Sequence, residues 1–98
     1  MPKISLQKRS KKLQKAFLSM KSEKELFCFL RDLLTEDEIL EFIQRLEIAE
    51  RLHNKESYKK IEKQTWVSST TIARVSKFLK WTLGWYKLYF ERAKSSDF

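Results

Sequence analysis

Four residue types that shape most folds are nearly missing from this chain: of 98 residues, one is glycine, one proline, one cysteine and one histidine. Sheet proteins use Gly and Pro repeatedly in turns, whereas helix interiors exclude both, so the composition favours an all-α fold. A lone Cys28 makes no internal disulfide, and no Cys/His group has metal-ligand spacing, which predicts no metal site and a reducing, cytoplasmic setting. One Gly cannot build a phosphate-cradling loop, and no His/carboxylate pair or nucleophile signature is present. An enzyme is therefore not expected, and no residue is assigned a catalytic role. No run approaches the ~20 apolar residues that span a bilayer, so membrane insertion and secretion are not expected either. Cys28 lies within an apolar run and reads as buried packing.

What is present is a globular balance, 42% hydrophobic and 35% charged. The length fits a single helical domain over residues 1–98. Three Trp, three Tyr and seven Phe are many large side chains for so short a chain, which points to a partner subunit. The net charge of +8 is unevenly spread. Residues 1–20 carry six basic and no acidic residues; residues 21–56 carry six basic against ten acidic; residues 57–98 carry nine against three. Positive charge at both ends of the chain, apart from an acidic middle, is expected where particular surfaces meet a polyanion.

Residues 1–9 read as a flexible basic arm. Leu13, Ala16, Phe17 and Met20 then fall at i, i+3, i+4, i+7, one stripe of a helix. Ser22 with Glu25 forms a capping box opening a second helix, whose Leu26, Phe27, Phe29, Leu30, Leu33 and Leu34 cover more than one face and predict burial on several sides. Thr35 with Glu38 repeats the box and opens a third helix, ending near His53-Asn54, where Asn54 tolerates a left-handed C-terminus.

The stretch from Ser57 to Leu79 breaks into a short helix (57–65), a tight connection at Trp66-Val67 and a second helix capped by Ser68. Ile61, Val67, Ile72 and Val75 are spaced so that two crossing helices share one small core. Over 57–80 this is the pattern of a helix-turn-helix, whose second helix enters the major groove of DNA. Ser69, Thr70, Ala73 and Lys77 then face the groove or its edge, with Thr71 and Arg74 flanking them and the cap Ser68 beside them as further DNA-binding residues; hydroxyls meet base edges and a methyl meets thymine. Lys59, Lys60 and Lys63 are placed for phosphates, which fix register without reading sequence. A helix-turn-helix commonly carries Gly where this chain has Trp66, because that residue is left-handed. The aromatic there predicts an altered turn or a ring packed on a partner.

These residues resemble the Trp-repressor-like superfamily, from about Leu26 to Arg92. The resemblance rests on Leu33-Leu34-Thr35-Glu36-Asp37-Glu38, on Arg45 ten residues after Thr35, on Ser68-Ser69-Thr70-Thr71-Ile72-Ala73-Arg74-Val75, and on Gly84-Trp85-Tyr86-Lys87-Leu88 with Glu91-Arg92. The closing segment is more similar to a Trp-repressor-related branch than to the tryptophan-responsive repressors. The resemblance implies an intertwined, all-helical homodimer of about six helices per chain, and a double-stranded DNA-binding transcriptional regulator in the bacterial cytoplasm, associated with the nucleoid. It further implies an effector pocket at Thr35, Arg45 and Arg74, the two arginines flanking an indole in the tryptophan-responsive members. Where those have a small Gly, this chain has Val75, which fills the indole space or packs into the motif's own core. No cofactor is therefore expected, tryptophan being the one that Val75 opposes.

Other readings remain beside this one. Trp81, Trp85, Tyr86, Tyr89 and Phe90, interleaved with Lys80, Lys87 and Arg92, suit stacking on unpaired bases. At helical spacing Trp81, Trp85, Leu88 and Tyr89 form instead one stripe, as in a core or dimer interface. A nucleic-acid binder without sequence preference, and a helical interaction module with solvated basic ends, are the alternatives.

Overall fold

The computed structural model describes residues 5–81 and 84–95. Among the described residues the secondary structure is helical throughout: α1 (Leu6–Arg9), α2 (Lys11–Ser19), α3 (Glu23–Leu33), α4 (Glu36–His53), α5 (Tyr58–Thr65), α6 (Ser69–Trp81) and α7 (Trp85–Ser95). Contacts fall into two units divided after Ile39. The sequence carries no linker at that point, because the division lies inside the unbroken α4. No helix among the described residues is long and apolar enough to cross a membrane.

In the first unit, side-chain caps set the helix boundaries. The second half of the expected basic arm is the short helix α1, capped by Ser5, whose hydroxyl accepts from the Lys8 amide at 3.3 Å; residues 1–4 lie outside the described residues. Ser22 accepts from the Glu25 amide at 3.1 Å, and the Glu25 carboxylate accepts from the Lys21 amide at 2.9 Å, one residue before the usual reciprocal partner. The Thr35 box closes fully. Thr35 Oγ1 accepts from the Glu38 amide at 3.2 Å, and Glu38 Oε1 accepts from the Thr35 amide at 2.9 Å and hydroxyl at 3.1 Å. Those two bonds, backbone first, lower the Glu38 pKa from its ordinary 4.5.

This unit has almost no interior. Phe17 meets Phe29 edge to face at 5.6 Å, but no residue of α1, α2 or α3 is buried. The expectation that α3 is buried on several sides therefore fails for the single chain: Leu26, Phe27 and Leu33 are all exposed. Cys28, expected as buried packing, is exposed for the same reason.

The second unit holds the core. Ile48 and Ala49 of α4, Ile61 of α5, Val67 of the connection, Ile72 and Val75 of α6 and Phe90 of α7 form one buried cluster, flanked by Leu52, Leu79 and Tyr86. α4 ends at His53, as expected, but Lys55, and not Asn54, takes the left-handed backbone, at φ 63. The Glu56 amide reaches the Arg51 carbonyl at 3.0 Å and the Lys55 amide the Leu52 carbonyl at 3.0 Å, so both bonds of a Schellman ending form around Lys55. On α7 the buried stripe is Tyr86–Phe90, with His53 tilted against Phe90 at 5.1 Å. Trp85 and Tyr89 are exposed and Leu88 half-buried, one helical position away from the face that packs. The Trp81 side chain lies outside the described residues.

Replacing the fully buried Ile61 by Ala removes a large side chain from the buried cluster that α4, α5, α6 and α7 share. An Ile61→Ala protein is expected to lose about 2–5 kcal/mol of stability in urea unfolding. Glu38 gives a second test. A carboxylate whose folded pKa is depressed stabilises α4 above its unfolded value and ceases to do so as pH falls through the folded one. The Glu38 carboxyl carbon, followed by NMR, is expected to titrate below 4.5 in the native protein and to move part of the way back in Thr35→Ala, which removes the hydroxyl bond and keeps the larger backbone one.

Candidate nucleic-acid interface

α5 begins where Ser57 Oγ accepts from the Lys60 amide at 3.2 Å. It is held to the end of α4 by Arg51, whose Nη1 donates to Gln64 at 2.7 Å and to Glu56 at 3.1 Å while Nη2 lies 3.4 Å from Glu47. Sequence reasoning missed this anchor, because thirteen residues separate Arg51 from Gln64 and no local pattern links them.

α5 stops through its own last residues. The Thr65 hydroxyl donates to the Ile61 carbonyl at 2.6 Å and accepts from the Val67 amide at 3.3 Å. Between them Trp66 adopts φ 62, ψ 14, and its amide reaches the Glu62 carbonyl at 3.0 Å. The expected altered turn is therefore absent: Trp66 takes the left-handed conformation that Gly would take. Its ring is 93% exposed, while Val67 beside it is buried. Ser68 caps α6 as expected, its Oγ accepting from the Thr71 amide at 3.3 Å and lying 3.1 Å from Thr71 Oγ1.

This arrangement turns the first turn of α6 outward. Ser68, Ser69, Thr70, Ala73, Arg74 and Lys77 are exposed and Thr71 is half-buried, while Ile72 and Val75 point into the core. Lys59, Lys60 and Lys63 are exposed on α5; Lys60 Nζ lies 3.8 Å from the half-buried Glu56, a long pair whose lysine end is open to solvent. From Lys63 to Phe90 the sequence holds five basic and no acidic residues. A surface of hydroxyls, one methyl and flexible cations, backed by a rigid apolar cluster, is suited to base edges at its centre and phosphates at its rim.

Arg45 and Arg74 line a common recess of about 220 Å³ between α4 and α6, with Glu41, Gln44, Thr71, Val75 and Phe78. The Arg45 guanidinium sits over the Phe42 ring at 5.5 Å. Val75 is 4% exposed and takes the second of its two expected places, in the motif's own core, while also forming part of the recess wall. Thr35 serves as the N-cap of α4. Glu41 and Phe78 were not anticipated; the signal lay in their helical spacing, Glu41 to Arg45 and Arg74 to Phe78, each i to i+4.

The comparisons with known proteins agree with this architecture. A profile of the Trp repressor protein matches residues 8–94. The uncharacterized protein YerC of Bacillus subtilis (strain 168) is 37% identical over 92 residues, covering 91% of this chain and 88% of its own. The crystal structure of a TrpR-like protein from Eubacterium eligens ATCC 27750 superposes with a TM-score of 0.83 at 33% identity, covering 93% of this chain and 94% of that one.

A bulky residue held left-handed costs about 1–2 kcal/mol that Gly does not incur. Trp66→Gly is accordingly expected to raise the thermal midpoint by a few degrees, whereas Trp66→Val lowers it, its β-branched side chain fitting that backbone worse still. Circular dichroism melts of the three proteins check both signs.

Proposed function

The chain belongs to the Trp repressor protein family, and from that membership we propose that it is a dimeric, sequence-specific regulator of transcription. The family's members are regulatory DNA-binding proteins and not enzymes. The observation that carries the finer reading is the exposed first turn of α6, braced from behind by Ile72 and Val75. α6 enters the major groove. Ser69, Thr70 and Ala73 meet base edges, Arg74 and Lys77 flank them, and Lys59, Lys60 and Lys63 meet phosphates on either side.

Dimerisation is supported by the apolar surface that one chain leaves uncovered. Leu13, Phe17, Leu18, Leu26, Phe27 and Leu33 are 38–85% exposed in the first unit, more than a monomer of this size normally shows to water. In the second unit Leu46, Trp85, Tyr86 and Tyr89 line an apolar recess of about 290 Å³. A second copy covering these faces presents two copies of α6 to half-sites about one helical turn apart, and occupancy of such a site represses the promoter it overlaps. The recess at Arg45 and Arg74 works without obligatory tryptophan, since Val75 and Phe78 already form its wall.

Fragmented genomic DNA retained by the protein at about 0.15 M salt tests this reading. Enrichment of a near-palindromic site, unchanged by added tryptophan, is the expected result; retention without sequence preference favours an architectural nucleic-acid binder. On the enriched site, Arg74→Ala and Thr70→Ala each weaken binding, and affinity unchanged in both places α6 wrongly. Lys63→Ala lowers affinity for all duplexes alike and reduces the salt slope by about one.

A further inference from the structure

We propose that Trp66 contacts DNA directly, its indole packing against the sugar–phosphate wall of the groove that α6 enters. This inference rests on the DNA-binding reading above and adds a contact that the helix-turn-helix pattern does not call for, since the pattern asks only for a left-handed residue at this place.

Trp66 is unfavourable twice over within its own chain. Its backbone is left-handed, at φ 62, which Gly adopts without strain and a large side chain does not. Its ring is 93% exposed, the most exposed large apolar side chain among the described residues. The cluster behind Val67 holds the backbone there, but among the described residues no ring or cation contact covers the indole. Phe17 meets Phe29, Phe90 meets His53, Tyr86 and Tyr89, and Arg45 lies over Phe42; Trp66 takes part in none of these contacts. The turn itself is held by backbone bonds and by Thr65, none of which uses the indole. A gain from the indole therefore does not arise among the described residues.

Position and charge select the occupant. Trp66 stands two residues before Ser68, the cap of the helix whose first turn faces the bases, so it lies where the chain crosses the rim of the groove. That rim is made of deoxyribose and phosphate. The nearest acid in sequence is Glu62, one turn back on α5, and from Lys63 onward the chain is basic or neutral as far as Phe90. An apolar ring in basic surroundings fits a polyanion with apolar faces better than it fits an apolar protein pocket. The chemistry is complementary in both parts: the flat face of the indole covers a deoxyribose, and Nε1–H, a donor with no acceptor function, meets a phosphate oxygen. Contacts of this kind hold register and orientation and add affinity without reading a base.

Wild type, Trp66→Phe and Trp66→Gly are compared for binding to the genomic site and to a random duplex of equal length, by anisotropy of a labelled strand. Melting curves run alongside. Trp66→Gly is expected to fold at least as stably as wild type and yet bind both duplexes about tenfold more weakly, with Trp66→Phe between them because it keeps the ring and loses the donor. In a protein retaining Trp66 alone (Trp81→Phe, Trp85→Phe), saturating duplex should shift the emission to the blue and lower acrylamide quenching. Equal affinity of wild type and Trp66→Gly, or emission unchanged at saturation, overturns this contact while leaving the DNA-binding reading in place. Failure of wild type to bind any duplex overturns both.

Discussion

The helix-turn-helix depends on one backbone reversal, at Trp66. With φ 62 there, Val67 swings inward and joins Ile61 and Ile72, while Ser68 is brought to the position from which its hydroxyl caps α6. A residue in the extended region would carry the chain past this point, and Val67, Ser68 and the outward face of α6 would lose their places together. Thr65 secures the reversal from both sides, donating to one turn of α5 and accepting from the amide beyond the bend. The apolar cluster then fixes which face of α6 is left for solvent. Orientation of the polar face is in this sense a product of burial, since Ile72 and Val75 cannot be inside unless Thr70, Ala73 and Arg74 are outside.

Polar anchoring complements the apolar cluster along α5. The Arg51 guanidinium, a planar fork with five donors, spans Glu47 on its own helix, Glu56 in the connection and Gln64 on α5. A Lys at this position, with a single ammonium, would not reach three acceptors in one geometry. The left-handed Lys55 supplies the reversal that sends the chain from α4 back toward this fork. The basic residues that face outward on α5 are thus mounted on a short helix held at both ends, by the Ser57 cap at the start and by the fork on Gln64 and buried Val67 at the finish.

Local signals were legible in the sequence where the physics is local. The Ser22/Glu25 and Thr35/Glu38 boxes, the Ser68 cap and the shared core of Ile61, Val67, Ile72 and Val75 all arise within a few residues of the side chains that announce them. What could not be read are choices between equivalent faces. Trp85 with Tyr89 and Tyr86 with Phe90 have the same i, i+4 spacing, and only the position of His53 and Leu52 on α4 decides that Phe90 goes inside. Asn54 is the better left-handed residue by propensity, but the Schellman bonds from Glu56 and Lys55 fall one position later. Trp66 misled for the opposite reason. Propensity argued against a left-handed aromatic, and the cluster behind Val67 overrides a preference of that size.

The lack of an interior in the first unit has a consequence for how long the protein lasts. Helices of 4, 9 and 11 residues are marginal in water when caps are their main support, so α1, α2 and α3 open far more often than the helices around Ile48 and Ile61. Proteolysis follows such opening. A chain without a covering surface would be cut in its first third before its helix-turn-helix is touched, and the covering surface becomes a licence to persist. Turnover would then remove solitary chains first, so that the lifetime of the polypeptide depends on its company and not only on its rate of synthesis.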